Sequence, residues 1–152
     1  MKESYYNKEA LQELIPHRSP MLLIDEMTVI NTEEACGTYH VTGEEFFLQG
    51  HYPDYPIVPG NILTEMLAQL GAALVSYKNS LPDSAFANLR RSKTPMLAGL
   101  NNFRFKSQVC PGDTVDLRII FTKDVGLVVS GEAEAHVGGQ LAVSGEITVV
   151  FL

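Results

Sequence analysis

The sequence feature that most constrains the fold is one long helical segment, residues 60–77, that is apolar on nearly every side. Among residues 62–75 only three side chains are distinctly polar, those of Thr64, Glu65 and Gln69. A helix that is apolar nearly all round is buried. In a chain of 152 residues, the rest of the protein must therefore wrap around this helix.

Alternating apolar and polar residues predict strands that could wrap the helix. Residues 21–30 and 35–41 predict a first hairpin, and residues 8–15 predict a short helix before it. We expect an α+β fold, in which one antiparallel sheet curls around a long central helix, as a single domain over residues 1–152. After the long helix, four further segments alternate as strands with one buried face: 96–109, 113–122, 126–137 and 140–151.

Composition and charge exclude several classes of protein. The net charge of −7 argues against nucleic acid as the main partner. No apolar run approaches the length of a membrane span, and the first ten residues are polar and charged, so we expect a cytoplasmic protein without a membrane span. Cys36 and Cys110 form no metal-binding pattern, and His51 with Asp54 would supply too few ligands, so we expect no metal. No nucleotide-binding glycine motif follows a strand, so we expect no nucleotide cofactor.

The charge is unevenly distributed along the chain. Residues 78–123 carry eight basic and three acidic side chains, whereas residues 1–77 carry three basic and eleven acidic ones. A basic middle region in an acidic chain indicates an anionic partner. The alternative is that this region pairs with acidic neighbours in its own chain.

A histidine in a proline-rich loop is the first candidate for chemistry. His51 lies between Gly50 and Pro53, and three prolines at positions 53, 56 and 59 stiffen the path to the long helix. Rigid support is what a positioned acid/base group needs. A loop histidine is also a common surface residue, so this pattern alone leaves both interpretations open.

The start of the long helix supplies two further kinds of group. Pro59 and Gly60 lie where the helix begins, so the free N–H groups of Gly60 and Asn61 point out of its end and could hold a carbonyl oxygen that gains negative charge. Glu65 follows one turn later, on an otherwise apolar helix where a carboxylate is costly without a partner. The ordinary alternative is a glutamate that interacts with the helix macrodipole or a cap.

Three sequence blocks, in order along the chain, resemble one enzyme family. They are LIPHRSPMLLIDEM (14–27), FFLQGHYPDYPIVPGNILTEMLAQ (46–69) and LAGLNNFRFKSQVCPGD (97–113). They resemble blocks of the bacterial 3-hydroxyacyl-[acyl carrier protein] dehydratases of type II fatty acid synthesis. The resemblance implies the hot-dog fold, with the helix inside the sheet. It also implies a hydro-lyase that converts 3-hydroxyacyl-acyl carrier protein to the trans-2-enoyl product without a cofactor.

The same resemblance assigns the site residues. The family's catalytic histidine falls on His51, its catalytic glutamate on Glu65 and its helix-start amide on Gly60, with Asn61 beside it in place of the usual valine. It implies that His51 of one subunit faces Glu65 of its partner, so a homodimer is the minimal unit and a trimer of dimers the expected assembly. The branch that also isomerises its product has aspartate at the second position, so Glu65 favours the plain dehydratase.

The acidic acyl carrier protein is the anionic partner that the resemblance implies. Arg90, Arg91 and Lys93 crowd a loop after the long helix, and Arg104 and Lys106 share one strand face. Glu132 or Glu134 could instead neutralise the strand residues. The predicted docking set consists of five basic residues: Arg90, Arg91, Lys93, Arg104 and Lys106.

Two other functions are compatible with the same segment. A thioesterase of the hot-dog fold would keep the thioester site but use an attacking water. A non-catalytic acyl-binding or assembly module would bind the chain without turnover. The spaced pair of His51 and Glu65 favours dehydration over both.

Other positions have structural interpretations. His17 follows a helix-ending proline and is expected to be a local hydrogen-bonding group. Asn101 and Asn102 are expected to form a bulge in their strand. Gly131 and Gly145 are expected to leave room for the long helix.

Overall fold

The structure is a computed structural model that describes residues 4–152, so residues 1–3 of the predicted domain lie outside the described part. The described chain forms one seven-stranded sheet and one long helix. The elements in chain order are β1 (Ser4–Asn7), α1 (Lys8–Leu11), β2 (Glu26–Asn31), β3 (Glu34–His40), a 3₁₀ turn (Phe46–Leu48), α2 (Gly60–Ser80), α3 (Ala87–Arg90), β4 (Pro95–Phe105), β5 (Thr114–Val125), β6 (Val128–Val137) and β7 (Gln140–Phe151).

The sheet is antiparallel throughout, with strand order β1-β2-β3-β5-β6-β7-β4. Helix α2 packs on β3, β5, β6, β4 and β7. Thirteen of its 21 residues are buried, including the polar Thr64 and Gln69, so α2 lies at the centre of the core. The predicted sheet around a central helix is therefore confirmed.

Helix α2 extends three residues beyond the predicted end, to Ser80. Leu81 then adopts an extended conformation, with φ −73° and ψ 143°. Pro82 explains this end, because the residue before a proline is disfavoured in the helical region.

The predicted elements before α2 need two corrections. Helix α1 ends at Leu11 rather than residue 15, because the following residues form tight turns and Arg18 donates hydrogen bonds to the carbonyls of Gln12 and Ile15. The first hairpin begins at Glu26 rather than residue 21. Among the residues before it, the Met21 carbonyl and the Leu23 N–H bond to the side chain of Gln69 on α2. Strand β1, which pairs with β2, was not predicted.

The four strands after α2 match the predicted segments: β7 has the predicted bounds, and the ends of β4, β5 and β6 are shifted. Strand β4 lies at one edge of the sheet and pairs with β7. Its register shifts between Asn101 and Arg104, and Asn102 has a φ of 53°, so the predicted bulge is confirmed.

The predicted role of two strand glycines is wrong. A Cβ at Gly131 would lie 2.6 Å from the carbonyl oxygen of Ile120, and one at Gly145 would lie 2.3 Å from the ring of Phe103. The absence of a side chain at both glycines therefore allows the close approach of a neighbouring strand rather than of the helix. Gly37 lies close to both a strand and the helix, because a Cβ there would lie 2.8 Å from the Glu26 carbonyl oxygen and 3.0 Å from Leu70 Cδ1.

Among residues 4–152, no helix combines the length and the apolar character needed to cross a membrane.

Candidate active site

The His51 loop fixes the orientation of the imidazole. The backbone N–H of His51 donates to the carbonyl of Leu48 at 3.1 Å, and Nδ1 lies 2.8 Å from the carbonyl oxygen of Ile57. A carbonyl oxygen can only accept, so Nδ1 carries the proton of the neutral ring. Nε2 is then unprotonated and able to act as a base.

The rest of the loop is braced by contacts that supplement its prolines. Tyr52 has a φ of 60°, a strained conformation for a bulky residue, and its ring centroid lies 4.8 Å from that of His51. The Tyr55 hydroxyl donates to Gln108 Oε1 at 2.6 Å, and the Val58 N–H donates to the Val109 carbonyl at 2.8 Å. The segment after β4 therefore holds the loop against the body of the protein.

The start of α2 presents two backbone donors, as predicted. The N–H groups of Ile62 and Leu63 donate to the Pro59 carbonyl at 3.0 and 3.4 Å. Within residues 4–152, the N–H groups of Gly60 and Asn61 have no oxygen acceptor. Free donors at the positive end of a helix favour an oxygen that carries negative charge.

Gly60 also lies in close contact with a neighbouring ring. A Cβ at this position would lie 2.7 Å from Cε1 of Phe105, which is closer than real Cβ contacts. The ring of Phe105 therefore lies against the helix start, directly beside the free amides. A residue larger than glycine would displace one or the other.

Glu65 lies at the margin of the buried helix, with a side chain that is 29% exposed. Gln69 Nε2 donates to Glu65 Oε1 at 2.9 Å, and His17 Nε2 lies 3.5 Å from the same oxygen. The other oxygen, Oε2, has no partner in the described chain. The carboxylate is thus held through one oxygen and free through the other.

Within the described residues of one chain, no hydrogen bond or ion pair joins His51 and Glu65. Glu65 lines a pocket of ≈ 200 Å³ with His17, Gln69 and residues 95–97 of β4, and His51 is not among its lining residues. This volume is below the ~300 Å³ at which small-molecule sites usually begin.

Arg90 does not fit the predicted docking set. Its side chain is 1% exposed and forms an ion pair with Asp124, while Nε donates to the Gly126 carbonyl at 2.8 Å. Lys78 Nζ lies 2.6 Å from Asp124 Oδ2. Burial alone would raise the pKa of Asp124, but hydrogen bonds from Arg90 and Lys78 outweigh it and lower this pKa. The charge of Arg90 is therefore buried and neutralised, and its predicted role in docking is wrong.

The other four residues of the docking set, Arg91, Lys93, Arg104 and Lys106, are exposed. None of them pairs with a carboxylate in the part of the chain that is described. Glu134 pairs instead with Arg118, at 3.6 Å, so the alternative in which it neutralises the strand residues is wrong. These four side chains keep their charge available to a partner.

His17 is the site residue that sequence reasoning assigned only a structural role. Its contact with Glu65 joins the loop after α1 to α2, which no local pattern shows. The sequence feature that could have indicated a polar contact at Glu65 is Gln69, a polar residue four positions later and therefore on the same face of the helix. The structure shows that Gln69 is buried.

A curled antiparallel sheet around one central helix defines a protein of the hot-dog fold. A dehydratase heterocomplex, ApeI:P from Xenorhabdus doucetiae, shares this fold with a TM-score of 0.78 and 19% identity over 93% of this chain and 90% of that one. Residues 15–146 match the FabA-like domain, and the chain belongs to that family.

Two curated relatives that align with most of the chain carry the same name. The 3-hydroxyacyl-[acyl-carrier-protein] dehydratase FabZ of Staphylococcus haemolyticus is 42% identical over 147 residues, which is 96% of this chain and 95% of that protein. The protein of the same name from Clostridium perfringens is 40% identical over 141 residues, 93% and 95% of the two chains. The family expected from the three sequence blocks is confirmed.

Proposed function

We propose that this chain is a 3-hydroxyacyl-[acyl carrier protein] dehydratase, which removes water from 3-hydroxyacyl-acyl carrier protein to give the trans-2-enoyl product in fatty acid synthesis. The observation that carries this proposal is the bond from His51 Nδ1 to the Ile57 carbonyl, which leaves Nε2 as a base. The identity of about 40% with FabZ dehydratases along nearly the whole chain supports it.

The reaction is an elimination across C2 and C3 of the thioester. The Gly60 N–H, with that of Asn61 beside it, polarises the thioester carbonyl and stabilises the negative charge that develops on its oxygen. His51 Nε2 takes the C2 proton. The C3–O bond then breaks, and Glu65 supplies a proton to the departing hydroxyl, which leaves as water. The substrate carbonyl takes up the electron pair, so no cofactor is required.

A homodimer is the minimal catalytic unit in this proposal, with trimers of dimers as the full assembly. Strand β4 exposes one unpaired edge, and such edges readily pair with another strand. Its exposed apolar side chains are Met96, Leu97, Leu100 and Phe105. Because Met96 and Leu97 also line the Glu65 pocket, a second copy at this edge would complete that pocket and bring its own His51 to Glu65.

The acyl carrier protein is the proposed partner, and four exposed basic residues are its docking surface: Arg91, Lys93, Arg104 and Lys106. Arg104 and Lys106 flank Phe105, which contacts the helix start at Gly60. A carrier bound there would lie close to the proposed thioester site. We place this activity in the cytoplasm and in one domain over residues 1–152.

Turnover of a chain-length series of 3-hydroxyacyl-acyl carrier proteins tests the function. We expect absorbance of an enoyl thioester to rise while the thiol stays acylated. Release of free thiol without an enoyl product would show a thioesterase. Binding of the acylated carrier without either product would show a non-catalytic module.

A further inference from the structure

One oxygen of Glu65 accepts a hydrogen bond from Gln69 and lies near His17, which comes from a different part of the chain. Gln69 Nε2 donates to Glu65 Oε1 from one helical turn further along α2. His17 Nε2 approaches the same oxygen from the loop between α1 and β2. Oε2 has no partner within residues 4–152, so the two carboxylate oxygens have different surroundings.

The loop that carries His17 is itself bound to α2. The Leu23 N–H donates to Gln69 Oε1 at 2.8 Å, and Gln69 Nε2 also donates to the Met21 carbonyl at 2.7 Å. Gln69 is 1% exposed, so these bonds are shielded from water. Arg18 ties the other side of the loop through the Ile15 carbonyl at 2.9 Å. These hydrogen bonds therefore hold the loop that carries His17 in place beside Glu65.

The surroundings of the His17 ring indicate which nitrogen carries its proton. Nδ1 is buried and has no hydrogen-bond partner among the described residues. A buried N–H without an acceptor is rarer than a buried lone pair without a donor. The proton of the neutral ring therefore belongs on Nε2, which lies 3.5 Å from Glu65 Oε1. This separation is longer than a formed hydrogen bond, but such contacts in an unliganded active site often tighten when substrate binds.

We propose that His17 is a positioning residue for Glu65: together with Gln69 it holds Oε1, so that Oε2 carries and delivers the proton in the elimination. This inference rests on the proposed function. Both donors stabilise the carboxylate that Glu65 becomes when it gives up its proton. They also fix the direction in which Oε2 points, and misplacement of a reacting group by ~1 Å can cost 10²-fold in rate.

The kinetic test compares two changes at one position. His17→Leu removes the donor, and we expect kcat to fall by ~10- to 100-fold with KM within about twofold. His17→Gln retains a side-chain N–H that can occupy the place of Nε2, so we expect it to recover most of this loss. His136→Leu, on the outer face of the sheet, is the matched control and is expected to keep wild-type kcat.

Coupling to Glu65 separates positioning from a general structural role. In a Glu65→Gln background there is no acid to position, so His17→Leu should lower the residual kcat by less than ~2-fold. A full additional loss there, or a His17→Gln variant as impaired as His17→Leu, would overturn the proposal. If His17→Leu does not fold, the kcat of His17→Gln relative to the wild type tests the proposal by itself.

A second readout does not depend on activity. In protein labelled with ¹⁵N-histidine, the four histidines give few signals, and the His17→Gln variant assigns that of residue 17. We expect the Nε2–H form of His17 at neutral pH and a change in its shifts in the Glu65→Gln variant. A proton on Nδ1, or shifts unaffected by Glu65→Gln, would refute the positioning role. Wild-type protein without dehydratase activity would refute the proposed function instead.

Discussion

The two proposed acid/base side chains are immobilised by different means. His51 is bound through Nδ1 to a backbone carbonyl six residues later in its own loop. Glu65 Oε1 accepts a hydrogen bond from Gln69 on α2 and lies 3.5 Å from His17 Nε2 of a distant loop. In each residue one atom is held and the other is left for the reaction, which suits a base and an acid that must act in sequence.

Replacing either group tests its assignment. We expect His51→Ala and Glu65→Gln each to lower kcat by ~10²–10⁴-fold, the usual contribution of a general acid or base. Thermal melting should be close to that of the wild type, because both side chains lie partly exposed at the core margin. His40→Ala, a histidine at the end of β3, is the control. Near-wild-type turnover in either variant would mean that its assigned role is wrong.

The Gly60 position offers a second test at the residue scale. Gly60→Ala places a methyl group against the Phe105 ring, so the helix start or the ring must move. We expect kcat/KM to fall by ~10-fold or more, because the amides no longer meet the thioester carbonyl correctly. Adding Phe105→Leu should recover part of this loss. If Gly60→Ala alone has full activity, the carbonyl is held elsewhere.

Sequence could predict His51, Gly60 and Glu65 because all three lie in one continuous segment. It could not predict the contact of His17 with Glu65, since 48 residues separate the two and only the folded loop brings them together. The prediction that Arg90 docks the carrier was wrong for the same reason. A count of nearby charges cannot show that its neutralising carboxylate, Asp124, lies on a later strand.

At the scale of elements, a buried ion cluster joins three parts of the fold. Arg90 at the end of α3 and Lys78 near the end of α2 both bind Asp124 on β5. The Arg90 guanidinium also lies 5.1 Å from the ring centroid of Phe86 and 5.0 Å from that of Phe151. The segment between α2 and β4 is thereby fixed to the sheet.

Removing the carboxylate from this cluster should destabilise the protein strongly. Asp124→Asn leaves Arg90 buried without its counter-charge, and such changes cost about 3–5 kcal/mol. The matched control is Glu34→Gln, which breaks an exposed pair with Arg118 at 2.7 Å and should cost ~1 kcal/mol or less. Chemical denaturation measures both. Equal losses for the two variants would show that burial adds nothing to the Asp124 pair.

The same variant has a defined pH dependence. The folded-state pKa of Asp124 is lowered, so its contribution to stability is fully present above its unfolded-state pKa of ~3.9 and is lost as pH falls through the folded-state pKa. The difference in unfolding free energy between wild type and Asp124→Asn should therefore be constant near neutral pH and shrink below about pH 4. A difference that grows on acidification would contradict this assignment.

The regular elements could be predicted where their pattern of apolar and polar residues repeats over many residues. Helix α2 and strands β5 to β7 repeat their pattern over at least ten residues each. The segment 21–25 has the apolar character of a strand, but the Met21 carbonyl and the Leu23 N–H bond to the Gln69 side chain rather than to a strand partner. Strand β1 has four residues, too few to establish a period of two.

At the scale of the whole molecule, the proposed active site needs two copies of the chain. Inactive His51→Ala and inactive Glu65→Gln chains, refolded together, should regain activity. A mixed dimer would hold one site with both changes and one intact site, which sets a ceiling of about half the wild-type activity per mixed dimer. Mass spectrometry confirms that mixed dimers form. Their inactivity would place the whole site within one chain.

Charge determines the proposed interaction with the carrier. Raising ionic strength should lower kcat/KM for the carrier-bound substrate, because the Debye length is only ~8 Å at physiological salt. A pantetheine thioester, which lacks the acidic carrier, should be much less affected. Charge reversal at Arg91 and Lys93 should reproduce the salt effect, whereas reversal at Lys123 on β5 serves as a control outside the docking surface. Equal salt sensitivity for both substrates would place docking elsewhere.

The position of β4 at the sheet edge has a consequence for how the chain folds. Its pairing with β7 joins Pro95 to Phe151, so β4 stays without any strand neighbour until the last strand in chain order has formed. Closing a loop of this size delays the pairing relative to the local hairpins β5-β6 and β6-β7. During that interval the strand with the most exposed apolar side chains has two open edges. Aggregation through β4 therefore competes with productive folding until β7 docks.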